Sequence, residues 1–103
     1  MENQSGSTFQ QSCLSFIETL FPDEPFHFLE ESKAMDAFGY PGRQLFFSSS
    51  ARTLKFTVLE QAHKHYARVF VSEKTSENTF FRQLLEATYD DNQLYIDHIV
   101  QTE

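Results

Sequence analysis

Between Phe9 and Phe21 the apolar side chains recur at Phe9, Cys13, Phe16, Ile17, Leu20 and Phe21, three or four residues apart or side by side. That spacing matches the pitch of an α-helix and puts all of them on one stripe. Ser7 followed three residues later by Gln10 has the capping-box pattern of a helix start, and Pro22 cannot continue the helix. The other face, Gln10, Gln11, Ser12, Ser15, Glu18 and Thr19, is polar. A helix this short is marginal alone and needs a second layer on which to bury its stripe.

The centre of the chain offers that layer. After the rigid turn Pro22-Asp23-Glu24-Pro25, residues 26–30 read as a short strand, with Phe26 and Phe28 on one face. Residues 31–38 have no clear period, and Gly39-Tyr40-Pro41-Gly42 reads as a turn. Residues 43–48 read as a strand that Ser48-Ser49-Ser50-Ala51 ends. Residues 53–59 alternate, with Leu54, Phe56 and Val58 opposed to Thr53, Lys55 and Thr57. Residues 66–72 alternate again, with Ala67, Val69 and Val71 opposed to Tyr66, Arg68 and Phe70. Leu54, Val58, Leu59, Ala62, Tyr66, Val69 and Phe70 also approach helical spacing, but the β-branched residues favour strands. Residues 61–64 would then be a turn.

From Ser76, a candidate N-cap, residues 77–89 carry Phe80, Phe81, Leu84, Leu85 and Thr88 at helical intervals, so a second helix is expected there, ended by Asp90-Asp91-Asn92. Residues 93–101 fit either period and are read as a last strand. The expected fold is α+β: an antiparallel sheet of about four to five strands, with the N-terminal helix and a second helix near the C-terminus packed on one face. Residues 1–6 are expected to fray, leaving 7–103 as a single domain.

At 103 residues, 40% of them hydrophobic, the chain can bury one modest core. Its twelve Phe and four Tyr, with no Trp, point to a core built largely of Phe. The single cysteine, Cys13, rules out an intramolecular disulfide framework and lies on the apolar stripe with no basic sequence neighbour, so it reads as a small buried hydrophobe. No apolar run reaches the ~18 residues of a membrane span, and the N-terminus is polar without basic residues, so a soluble cytoplasmic protein is expected.

The net charge of −7 is unevenly spread. Residues 1–36 set Glu2, Glu18, Asp23, Glu24, Glu30, Glu31 and Asp36 against Lys33. Residues 76–103 set Glu77, Glu86, Asp90, Asp91, Asp97 and Glu103 against Arg82. Between them Arg43, Arg52, Lys55, Lys64, Arg68 and Lys74 outnumber Glu60 and Glu73. An acidic total argues against binding a phosphate backbone directly.

Catalytic patterns are missing. His63 and His65 flank Lys64 at a spacing that would put both imidazoles on one side of a strand, but no third ligand lies nearby in sequence, so no metal is expected. His27 and His98 read as ordinary surface or half-buried residues. The adjacent pairs Glu30-Glu31 and Asp90-Asp91 diverge on any regular element and make no acid–base dyad. Asp90-Asp91-Asn92 lacks the spacing of a calcium loop. The three glycines form no phosphate cradle and the serines no nucleophile elbow. No cofactor is expected.

These features describe a non-enzymatic, small, acidic interaction protein that binds another macromolecule: an inhibitor, an immunity or anti-defence protein, or an escort chaperone. Its partner would be a protein with a basic surface, met by Asp23, Glu24, Glu30, Glu31, Asp90, Asp91 and Asp97. One alternative is a small-ligand-binding or catalytic domain with an aromatic-lined pocket between helices and sheet. Another is an anion- or RNA-binding sheet face built from Lys55, His63, Lys64, His65 and Arg68, with Tyr66 or Phe70 for stacking. Phe46 and Phe47 point to opposite faces, so one of them, together with Phe70, would lie on a face that one layer of helices leaves bare, which suggests a homodimer.

Overall fold

The computed structural model describes residues 5–35, 41–60, 66–77 and 79–100. One helix, α1 (Ser5–Leu20), precedes six strands: β1 (His27–Met35), β2 (Pro41–Ser48), β3 (Arg52–Glu60), β4 (Ala67–Thr75), β5 (Arg82–Asp90) and β6 (Gln93–Ile99). They form one antiparallel sheet in chain order, β1-β2-β3-β4-β5-β6. The α+β class and the N-terminal helix are as expected. The strand total is higher, and the second helix is not seen.

The expected helix over 77–89 is replaced by β5. Its apparent helical stripe comes from a register shift against β4 between Val71 and Ser72, which puts Leu84 next to Leu85 without breaking the strand. Outside that irregularity the alternation is intact, since Leu85, Ala87 and Tyr89 pair with Val71, Val69 and Ala67. Asp90-Asp91-Asn92 is therefore not a helix end. Asp91 (φ 53°) and Asn92 (φ 63°) are both left-handed, the conformation that a two-residue hairpin of matching twist requires, and Asp90 pairs with Gln93 across it.

Three other boundaries move. The helix begins at Ser5, upstream of the Ser7 cap. β1 runs on to Met35, absorbing residues that showed no period because its register shifts between Phe28 and Glu30. Pro41 and Gly42 open β2 rather than close a turn, and a Cβ on Gly42 would stand 2.5 Å from the Val58 carbonyl oxygen, so glycine lets β2 approach β3. The 61–64 turn lies outside the described residues. The serine-rich hairpin is as expected: Ser49 N donates to Arg52 O at 2.9 Å, and Ser49 Oγ accepts from the amides of Ala51 and Arg52.

The helix covers one face of the sheet. Phe9, Cys13, Phe16 and Ile17 are buried against Leu45 and Phe47 of β2, Leu54, Phe56 and Val58 of β3, Val69 and Val71 of β4, and Leu85 and Ala87 of β5. The rings interlock edge to face: Phe47 on Phe56 at 5.4 Å, Phe28 on Phe47 at 5.6 Å, Phe16 on Phe56 at 6.3 Å. Each such side chain contributes roughly 1.5–3 kcal/mol by leaving water. The helix runs diagonally. Phe9 meets Tyr89 of β5 at 4.6 Å, and Ser12 Oγ donates to Asn92 O at 2.8 Å, while Phe21, just past the helix, lies under Arg52 at the start of β3.

Candidate functional site

Pro22 ends the helix, and the chain reverses with Glu24 N donating to Phe21 O at 3.1 Å. Arg52 fastens this reversal to the sheet. Its guanidinium stacks 4.5 Å above the Phe21 ring, its Nε donates to Glu24 Oε2 at 3.2 Å, and its Nη1 to Glu73 Oε1 at 2.8 Å. Glu73, 6% exposed, is held from the other side by Arg82 Nη2 at 2.6 Å. Ser49 Oγ donates to Glu24. A buried carboxylate survives only when paired in this way.

The anchored reversal forms one wall of an open groove of about 560 Å³. Its apolar lining is Leu14, Ile17, Pro22, Pro25 and Phe26, and its acids are Glu18, Asp23 and Glu24. Glu24 already serves Arg52, but Glu18 and Asp23 are exposed and enter no ion pair among the described residues. An apolar floor beside two unneutralised carboxylates suits an aliphatic or guanidinium cation, whose stem can pack while its head is paired.

The seven acids singled out in the sequence fall into separate places. Asp23 and Glu24 are at the groove. Glu30 is exposed opposite Phe46, on the face without the helix. Glu31 pairs with Leu45 on the covered face and accepts from Arg43 Nη1 at 3.3 Å. Asp90 and Asp91 sit at the β5–β6 hairpin, which Ser12 ties to the middle of the helix, about 12 Å along the axis from its end. Asp97 accepts from Thr88 Oγ1 at 2.5 Å. The fold thus separates the groove acids from those of the β5–β6 hairpin, and Glu24, Glu31 and Asp97 are among those of the seven that have partners within the chain.

Other candidates resolve as follows. His63, Lys64 and His65 lie outside the described residues. His27 and His98 are exposed, and no group of three metal-ligating side chains occurs among the described residues. Cys13 is fully buried, and burial pushes its thiol well above the usual range, with Arg43 opposing and Glu31 adding to the effect. On the open sheet face Arg68 is neutralised by Glu86 at 2.8 Å, while the Lys55 and Lys74 ammoniums stand 4.7 and 5.5 Å from the centre of the Phe81 ring. Phe46 and Phe70 lie on this face, half-buried, and Phe47 lies on the covered one.

Sequence reasoning treated Glu18 only as part of a polar helix face and did not connect Arg52, Glu73 and Arg82. One signal for Glu73 was present: it continues the inward alternation of Val69 and Val71. Comparison with protein-family models, curated proteins and solved structures finds no match to this chain.

Proposed function

We propose that this chain is a non-enzymatic, acidic interaction protein of the cytoplasm that captures a basic segment of another protein, acting as an inhibitor, immunity or anti-defence protein, or escort chaperone. The observation that carries this reading is the groove beside the helix C-terminus, where Glu18 and Asp23 enter no ion pair among the described residues and stand beside Pro22, Pro25 and Phe26. The Arg52–Glu73–Arg82 network supports it by holding one wall in place before any partner arrives, which lowers the ordering cost of binding. Packing of Phe47 and Phe56 against each other favours this reading over a ligand pocket between helix and sheet.

The test is a titration of the isotope-labelled protein with short Arg- and Lys-rich peptides, followed by amide chemical shifts. Shifts should concentrate at residues 14–26 and weaken as salt rises, because screening acts over about 8 Å at physiological ionic strength. Glu18→Lys with Asp23→Lys should abolish them without lowering the melting temperature. Shifts elsewhere, or binding indifferent to salt and to both reversals, would refute the assignment.

A further inference from the structure

The two edges of the sheet differ. Along β1 the exposed residues include Glu30, Glu31 and Lys33, and the strand is irregular at Phe28–Glu30; charge and distortion of this kind discourage pairing with another chain. Along β6, Tyr95, Ile96 and Ile99 are 51%, 45% and 57% exposed. Ile96 and Ile99 pair with Ala87 and Leu85, both buried on the helix-covered face. The apolar face of the sheet therefore continues one strand beyond the reach of the diagonal helix, which packs Leu94 at the near end of β6 but leaves the far end bare. Among the described residues, no strand lies against the outer side of β6.

We propose that β6 pairs antiparallel with β6 of a second copy of this chain, joining two sheets about a two-fold axis between Asp97 and His98. That register is self-complementary. It sets Ile96 opposite Ile99 of the other copy twice, on the face where both are exposed. On the other face it sets Asp97 opposite His98, an acid against a base, again twice. The irregularity that β6 carries between Ile96 and His98 falls on the axis and meets its own image. A two-fold contact needs one patch that matches itself, and this strand has one in both shape and charge. The groove at the helix C-terminus lies toward the opposite edge, so this proposal is independent of the one above, and dimerisation leaves both grooves open.

The experiment is light scattering coupled to size exclusion at about 100 μM, a concentration at which a micromolar dimer is populated. The expected mass is twice the 12.0 kDa of the chain. Ile96→Lys with Ile99→Lys, both at exposed positions, should return the mass to that of one chain with an unchanged melting temperature. Register is read by oxidation: Ile96→Cys mixed with Ile99→Cys should give a covalent dimer, while neither variant does so alone. A single-chain mass for the unaltered protein, a dimer that survives both lysines, or equal cross-linking of either cysteine variant alone would each overturn the proposal. So would a dimer broken by Phe70→Lys and not by the β6 lysines, which would move the contact to the open face.

Discussion

The two faces of the sheet carry aromatic side chains in similar strand positions but hold them by different physics. Phe47 and Phe56, on the covered face, are at 0% exposure and pack on each other and on the rings of Phe28 and Phe16. Phe46 and Phe70 are one residue or one strand away on the open face. There Phe46 leans on Phe81, Lys55 and Lys74 stand over Phe81, and Arg68 lies 5.7 Å from the Phe70 ring. The covered face excludes water with a helix. The open face shields its rings with the stems and charges of basic side chains. Three cations of the central segment, Lys55, Arg68 and Lys74, lie here, whereas Arg43 and Arg52 lie on the helix side, over Phe9 and Phe21.

If this contrast is right, equal truncations should have unequal costs. Phe56→Ala should cost about 3–5 kcal/mol and Phe16→Ala, from the helix side of the same cluster, a similar amount, whereas Phe70→Ala should cost about 1 kcal/mol. Urea denaturation of the three variants measures this. Equal losses at Phe56 and Phe70 would mean that something also covers the open face in solution.

The next largest effect is electrostatic and lies at the margin of the covered face. Glu73→Gln keeps the volume but leaves Arg52 and Arg82 without their shared carboxylate, at an expected cost of about 2 kcal/mol. The reversal at residues 21–26 should loosen with it, seen as faster amide exchange at Glu24. No change at Glu24 would show that Arg52 holds the reversal through Phe21 and Glu24 without help from Glu73.

Cys13 reports on how dry the covered face is. Its thiol is raised by burial in the folded state and titrates near 8.5 when unfolded. Below about pH 8.5 both states hold the proton and stability is unaffected. Above it only the unfolded state loses the proton, so stability should fall by up to about 1.4 kcal/mol per pH unit. Cys13→Ala should show a shallower decline over the same range, and thiol reagents should react with the parent only as fast as it unfolds. Identical slopes for parent and variant would mean that water reaches the thiol.

How much of this was legible follows from which signals are local. The helix and the alternation of residues 53–59 and 66–72 are local patterns, and they are found where the period puts them. β5 was not legible because one extra residue, Leu84, turns an alternating strand into a sequence with helical intervals, and only pairing with β4 reveals it. The β5–β6 hairpin hid behind Asp91-Asn92, where Asn takes the left-handed position that glycine more often marks. At the candidate groove, Asp23 and Glu24 stand out in the sequence because a turn flanked by prolines concentrates them. Glu18 and the Arg52–Glu73–Arg82 network depend on a helix end meeting two strand ends, which no spacing along the chain encodes.

The smallest effect tests the open face directly. If Lys55 holds Phe81 through the charge of its ammonium and not only through its stem, the two side chains are coupled. Phe81→Leu keeps most of the apolar area but removes the ring quadrupole, and Lys55→Met keeps the stem but removes the charge. Each should cost under 1 kcal/mol, and the double variant should cost less than their sum by about 0.5 kcal/mol, the scale of a cation over a solvent-exposed ring. Lys74, 5.5 Å from the same ring centre, stays in place to hold part of the interaction, so the coupling should grow when Lys74→Met is the common background. Zero coupling in both backgrounds would mean that the lysines shield Phe81 by their methylenes alone, and the open face would differ from the covered one only in how much water it admits.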